Sequence, residues 1–428
     1  MKLAWIPGFS GFLLSTSLLS QTWSDLGGGM NPIGWVESIC SYNNKVFAGG
    51  YFWEAGGNPA YGIAQWDGVA WDSVDRGILG QVAALCVYNN KLYAAGNFGQ
   101  AGNILVSGIA SWDGTNWDSL SGGVNGAITS MAVFNGELYV AGQFTQAGGL
   151  TVNNIARWNG TNWDSVGPGL NERAYALLPF NGELYAGGLF TASGSDSVKH
   201  IAKWTGNSWM DINGGADNDV YDLCIYNGEL YASGRFTNIG GSWAAYLARL
   251  VGNNWWWVPN NSWMFVNRMS VYNSELYCIG GFGQTLGPAG KFIARWDGTN
   301  WDTLGCGITD YWPHCLWVHN NELYVGGEFH HAGCDSVNHI AKWSIVGAGV
   351  AEDSAESRVK IYPNPSPGNI HIEGVKYPCK IEVYNELGEM IKEETLPNSE
   401  IDLRLAPGIY FLRFLGNGSA KSHKIIIQ

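Results

Sequence analysis

The side chains best suited to chemistry crowd into one stretch. His314, His319, His330, His331 and His339 are five of the eight histidines, and Cys306, Cys315 and Cys334 are three of the eight cysteines. Imidazole with thiolate is a ligand set for a soft metal. The spacing fits no finger or catalytic metal signature, so no metal is expected, and His330, His331 and Cys334 stand only as weak candidates. A disulfide among Cys306, Cys315 and Cys334 is the preferred reading, because exported thiols oxidise. Cys40, Cys86 and Cys224 share one repeat position with Ala132 and Leu178, and read as small buried fillers beside lone Cys278 and Cys379.

Other reactive groups have structural duties first. Asp67, Asp113 and Asp297 follow tryptophan in tight turns, where a carboxylate caps the turn backbone. Glu137, Glu183, Glu229, Glu275 and Glu322 follow another turn and read as surface residues. No phosphate loop, nucleophile elbow or Ca²⁺ loop occurs, and no cofactor is expected.

A repeat must position whatever chemistry remains. A Lys/Glu-Leu-Tyr motif places its apolar residue at Val46, Leu92, Leu138, Leu184, Leu230, Leu276 and Leu323, a beat of 46, with 47 at the last step. Trp66, Trp112, Trp158, Trp204, Trp296 and Trp343 keep it, with Leu250 in the gap. So do Trp71, Trp117, Trp163, Trp209, Trp255 and Trp301. Such a period marks a solenoid or a propeller. Within one unit, Ile128–Phe134 and Leu138–Phe144 flank Asn135-Gly136. Gln146–Asn153 reads as a Gly-rich loop, and Ile155–Trp158 and Trp163–Val166 flank Asn159-Gly160. Asx-Gly between alternating apolar runs is the strongest short hairpin signal. Four short antiparallel strands per unit, seven times over, predict an all-β, seven-bladed β-propeller spanning 21–343. The seventh unit lacks a fourth strand, and Trp23-Ser24-Asp25-Leu26 matches Trp71-Asp72-Ser73-Val74. The N-terminal strand is therefore expected to close the last blade and protect its edge.

The pattern, for example Asn135-Gly136-Glu137-Leu138-Tyr139-Val140-Ala141-Gly142 followed by Trp158 and Trp163, resembles the kelch family and its Gly/Trp-rich relatives. The resemblance implies a propeller but no single function, since such propellers serve as enzymes, adhesins and docking modules.

Turn lengths separate the two faces of such a ring. First–second and third–fourth connections are tight, whereas second–third and blade-to-blade connections are long, so ligands belong on the long-loop face at the channel mouth. Eleven residues before each motif leucine, where a chain starts its innermost strand, stand Trp35, Gln81, Ala127, Arg173, Asp219, Phe265 and Trp312. Two residues on stand Glu37, Ala83, Thr129, Tyr175, Tyr221, Asn267 and His314. The expected mouth is aromatic at Phe265, Trp312 and Trp35, with Arg173, Tyr175, Asp219 and Tyr221 opposite. Thirteen of the 22 tryptophans keep the beat, while Trp35, Trp53, Trp243, Trp263 and Trp312 fall in or beside long loops, as suits sugar stacking or a protein partner.

Both ends differ from the body. Residues 1–20, with Lys2 and an apolar run to Leu19, read as a signal peptide. Residues 344–358 read as a linker. Lys360-Ile361-Tyr362-Pro363-Asn364-Pro365, Ile381-Glu382-Val383-Tyr384-Asn385-Glu386-Leu387-Gly388 and Pro407-Gly408-Ile409-Tyr410-Phe411-Leu412 alternate as short strands of a small Ig-like β-sandwich over 359–428. This tail resembles the type A sorting domain of the type IX secretion system of Bacteroidota. The resemblance implies the secretion machinery as a partner, export across the outer membrane, and release or surface attachment after the tail is removed.

Charge narrows the partners. Residues 358–428 carry nine Lys/Arg against eight Asp/Glu, and the rest fourteen against twenty-eight, a balance of −14. An acidic body repels phosphate backbones, which argues against nucleic acid. No later stretch is apolar and long enough to span a bilayer. The expected function is a secreted or surface-anchored adhesion propeller binding glycan or protein. The alternatives are a polysaccharide lyase or hydrolase using Glu37, Tyr175, Tyr221 or His314, and a surface-layer scaffold.

Overall fold

A computed structural model describes residues 20–31, 33–259, 265–282 and 292–346. In the C-terminal part it describes 360–362, 366, 369–373, 379–385, 390–396, 398, 400–403, 405, 408–415 and 421–427. The signal-peptide reading and Trp263 lie outside these residues. Among them every regular element is a strand, and no helix is long and apolar enough to cross a membrane. The chain divides into a unit spanning Thr22–Ser344 and a second that carries Ile345–Gln428.

The large unit is propeller-like, built from antiparallel sheets that repeat one order. In a representative sheet Ala127–Phe134 pairs with Glu137–Gln143, which pairs with Ile155–Trp158, which pairs with Trp163–Ser165. The first hairpin turns where the sequence demands it: Asn135 and Gly136 have φ of 48° and 78°, and Asn43 and Asn44 have 48° and 60°. Two consecutive positive φ values match the right-handed twist of the flanking strands, and Asn and Gly tolerate them best. In the second hairpin Asp113 Oδ1 accepts from the amides of Thr115 and Asn116, so this carboxylate is a turn former. The expected loop at Gln146–Asn153 carries its own ladder, Gln146–Ala147 against Leu150–Thr151, as do 54–59, 192–197, 238–243 and 331–336. Two-residue strands are too short to leave an alternation in the sequence.

Paired tryptophans close the outer hairpins. Trp158 and Trp163 lie 5.2 Å apart between ring centroids, and Trp66 and Trp71 5.4 Å. Trp343 has no such partner in its own hairpin. Trp23 takes that place at 5.2 Å, and Ser20–Asp25 is the outermost strand beside Ile340–Val346. The indole N–H of Trp71 donates to the Leu26 carbonyl at 2.7 Å, that of Trp163 to Leu120 at 2.8 Å, and that of Trp23 to Leu304 at 2.9 Å, tying these three sheets to the preceding connection.

Each inner strand also packs against the next: Trp35–Tyr42, Ile78–Tyr88, Ala127–Phe134, Ala174–Phe180, Val220–Tyr226, Phe265–Tyr272 and Pro313–His319, with the last of these against the first. The amide of Leu85 donates to Ser38 Oγ at 3.0 Å, that of Leu177 to Ser130 Oγ at 3.1 Å, and that of Met269 to the Asp222 carboxylate at 2.7 Å. Trp317 Nε1 donates to Ser41 Oγ at 2.7 Å, linking last to first. Apolar cores such as Val36, Ile39, Ala64, Trp66 and Trp71 lie between sheets, where burial supplies most of the stabilisation.

In the C-terminal unit one sheet orders Lys360–Tyr362, Asn369–Glu373 and Glu400–Asp402. Another orders Met390–Leu396, Cys379–Asn385, Gly408–Leu415 and Lys421–Ile427. Ile370, Ile372, Ile381, Val383, Leu403, Leu412, Ile425 and Ile427 form one core.

Candidate channel-mouth site

The mouth is shaped by a bulge repeated in every inner strand. Val36 pairs with Gly50 and Ser38 with Gly49, so Glu37 is an extra residue with no partner across the ladder. The same irregularity isolates Ala83, Thr129, Tyr175, Tyr221, Asn267 and His314. Simple alternation, which would put residue 37 on the face of residue 35, is therefore not what aims these side chains. A bulge re-aims one side chain and bends the strand. The partner opposite each bulge is a glycine, Gly50, Gly96, Gly142, Gly188, Gly234, Gly280 or Gly327, and a Cβ there would lie 1.8–2.3 Å from the carbonyl oxygen crossing it. The recurrent motif glycine thus permits the bulge that builds the mouth.

All seven bulge residues, Glu37, Ala83, Thr129, Tyr175, Tyr221, Asn267 and His314, line a cavity of about 640 Å³. Arg173, Trp312, Arg268 and Glu328 complete the polar and aromatic wall. A second cavity of about 260 Å³ shares Glu37, Ala83, Thr129, Tyr175 and Arg268, and also touches Asp222 and Cys315.

The aromatic groups form one continuous arc. Tyr175 meets Tyr221 at 5.3 Å, Tyr221 meets Phe265 at 5.4 Å, and Phe265 meets Trp312 at 6.5 Å, all edge to face. The expected separation of an aromatic side from a tyrosine side is therefore absent. Trp35 stands back from the cavity and packs on Tyr51 at 4.9 Å. Asp219 and Phe265 also stand behind the lining, Asp219 lying 3.9 Å from His200 Nδ1.

Beside the arc lies a charged cluster. His314 Nδ1 is 3.0 Å from the Glu37 carboxylate, and Nε2 is 3.5 Å from Glu328. Burial pushes the Glu37 carboxyl up, but the hydrogen bond and charge of His314, the Arg268 guanidinium and a bond from Trp35 outweigh it and hold Glu37 below the usual carboxylate range. Burial pushes the Tyr221 phenol up to about 12, and the Tyr175 phenol upward as well. Both tyrosines are therefore protonated at neutral pH and present O–H groups. Burial also raises Asp222 to about 6, against the pull of Arg268.

Arg235, Glu328, Gln143 and Arg268 escaped the sequence reading. Arg235 lies over the Tyr221 and Phe265 rings at 5.8 and 5.5 Å, and Arg173 donates to Gln143. Tyr51, Asn97, Gln143, Arg235 and Glu328 all directly follow the bulge-facing glycine. The same comparison of repeat positions, applied to the end of the second strand, would have found them.

The His/Cys cluster separates into parts. Cys306 and Cys334 lie 2.8 Å apart between sulfurs, while Cys315 is buried on the Val36 carbonyl. His330 and His331 both approach Asp310, at 3.7 and 3.1 Å. Asp310 also accepts from the His330 amide, a loop-fastening duty that Asn125 and Asn171 perform elsewhere. Among the described residues no group of three or more His, Cys, Asp or Glu is arranged to hold a metal. Burial raises the Cys40, Cys86 and Cys224 thiols to about 12, 11 and 12, and Cys278 is buried as well.

Comparison with known proteins bears on the tail and the repeat. Residues 360–428 match a family described as a secretion system C-terminal sorting domain, and residues 135–160 match a β-propeller domain of unknown function. The tail marks the chain for type IX secretion and for the cell surface. PorZ of Porphyromonas gingivalis, a surface component of the type IX secretion system, is 13% identical over 91% of this chain and 59% of its own, with a TM-score of 0.41. BamB of Moraxella catarrhalis is 12% identical over 79% of this chain and 98% of its own, at 0.37. Neither likeness is close enough to carry a function across. No curated protein matches the chain.

Proposed function

We propose that this chain is a surface-delivered binding protein in which a closed seven-bladed propeller, residues 21–343, holds a carbohydrate at its channel mouth. Residues 1–20 serve as signal peptide and 344–358 as linker. Residues 359–428 form the Ig-like sorting sandwich that the secretion machinery reads. Inner strands packed each against the next, and the Trp23–Trp343 pair, support the closed ring.

The observation that carries the ligand class is the arc Tyr175–Tyr221–Phe265–Trp312 set beside Glu37, His314, Arg268 and Arg173. Aromatic faces stack on the apolar faces of sugar rings, while charged and phenolic groups exchange hydrogen bonds with hydroxyls. A cavity of about 640 Å³ is of the size of small-ligand sites generally. The test is affinity for a panel of soluble polysaccharides, namely a neutral β-glucan, xylan, mannan and polygalacturonate. Trp312→Ala should abolish binding while the melting temperature stays nearly unchanged, because Trp312 is 40% exposed. Equal loss of fold, or unchanged binding, contradicts the proposal.

One observation favours a second reading, an enzyme acting on the same polysaccharides. Glu37 orients His314 as a carboxylate orients a catalytic imidazole. Tyr221, held protonated, would act there as an acid rather than a base. Chain shortening of any panel member by the parent and not by His314→Ala would establish this reading in place of simple binding.

A further inference from the structure

We propose that the ligand is an extended, uncharged polysaccharide chain that leaves the mouth over the first sheet, along Trp35, Tyr51 and Trp53. The inference rests on the carbohydrate reading of the mouth. Trp35 contacts the mouth cluster through Glu37 and lies 4.9 Å from Tyr51 at 31° between ring planes. Tyr51 then meets Trp53 at 5.1 Å, edge to face. Tyr51 and Trp53 are 38% and 39% exposed, so the outer part of the row is open to solvent, while Trp35 at its inner end is half-buried. Trp53 is not a core residue displaced outward, since its amide donates to Asn31 Oδ1 at 3.0 Å and fixes the loop that presents the ring.

A row of exposed aromatic side chains continuous with a polar cavity suits a linear ligand better than a compact one. The first sugars occupy the cavity and later ones lie on the row. Charge selects the class of chain: Glu54 is exposed beside Trp53, and the chain ahead of Arg358 is strongly acidic, while at the mouth Arg173 and Arg268 stand with Glu37 and Glu328. A polyanionic glycan would be repelled along this path.

Isothermal titration of the full secreted chain with β-glucan oligomers of three and six sugars tests this. In the parent the hexamer should bind about tenfold more tightly than the trimer, the equivalent of one further stacked sugar. Trp53→Ala should erase that gain and leave trimer affinity unchanged, and Trp53→Phe should restore most of it. A length gain that survives in Trp53→Ala overturns the track while the mouth stands. Binding of neither oligomer, alongside binding of polygalacturonate, overturns the neutral chain. No glycan binding at all removes the mouth reading and the track together.

A separate observation carries a second inference. We infer that Cys306 and Cys334 form a disulfide on export, and that it staples the loops beneath the strand that closes the ring. Their sulfurs lie 2.8 Å apart. Equivalent loop pairs elsewhere, joined by Gly56 N–H to the Gly29 carbonyl and Gly148 N–H to Gly123, place glycines there: Gly28 with Gly57, and Gly122 with Gly149. Only the pair beside the closing strand carries two thiols, and it does so where Trp23 donates to Leu304 and packs on Gly333. Each thiol gives up a proton and an electron as the S–S bond forms, and an oxidised protein dithiol takes both electrons and becomes a dithiol.

Non-reducing mass spectrometry of the secreted chain should find the peptides holding Cys306 and Cys334 joined, two hydrogens lighter than their sum. Reductant should lower Tm by several degrees in the parent and leave Cys334→Ser unaffected. Alkylation of both thiols in secreted, unreduced protein overturns the inference.

Discussion

His314 and Glu37 stand 277 positions apart in the chain, yet the imidazole Nδ1 lies 3.0 Å from the carboxylate. The pair joins the last inner strand to the first, each residue being the bulge residue of its strand. The contact between the last and first inner strands and the polar half of the cavity are thus one structural event. A strand missing from the seam would unfasten Trp23 from Trp343 and leave the packing of Pro313–His319 on Trp35–Tyr42 as the remaining closure.

The glycine that faces each bulge should be intolerant of any side chain. In Gly142→Ala the new Cβ would lie 2.1 Å from the Ala127 carbonyl oxygen, a backbone atom that cannot yield. We expect a loss of about 3 kcal/mol or more by denaturant unfolding. Gly149→Ala, at φ +85° with open space around the Cβ, should cost only about 1–2 kcal/mol. Equal costs would contradict the role given to the bulge.

Trp23 should behave as a core residue despite its place near the chain start. It is 5% exposed, stacks on Trp343 and donates to Leu304. Trp23→Ala should cost about 3–5 kcal/mol. Trp243→Ala, at 60% exposure, should cost well under 1 kcal/mol. A melting temperature for Trp23→Ala close to that of the parent would remove the closing strand from the account.

Asp222 should make stability depend on pH in the direction opposite to an ordinary ion-paired carboxylate. Its folded value of about 6 lies above the unfolded one, so the folded state holds the proton more tightly. Its charge therefore costs stability above about pH 6, and the cost vanishes as pH falls below about 4. Asp222→Asn should melt a few degrees above the parent near pH 7.5, with the two curves meeting near pH 4. Parallel curves would show that the raised value is not realised.

Much of this was legible in the sequence because the repeat is nearly ungapped. The motif leucines, the Asn-Gly turns and the displaced Trp23 strand correspond to the strands, turns and Trp23–Trp343 pair of the structure. Trp312, Arg173, Tyr175, Tyr221, Glu37 and His314 could be named because they share two repeat positions. The bulge could not: it adds one residue to every copy, so the period carries no trace of it. Nor could Arg268 be foreseen, because its repeat position otherwise holds Ser38, Ala84, Ser130, Ala176, Asp222 and Cys315, none of them cationic.

Amide hydrogen exchange of the full chain, with and without a saturating soluble β-glucan, tests the central claim most directly. The account predicts slowed exchange at 35–37, 173–175, 219–221 and 312–314, four segments far apart in sequence that converge on one opening. Slowed exchange confined to the outer edge around Trp243 and Trp256, with those four segments unchanged, would contradict it.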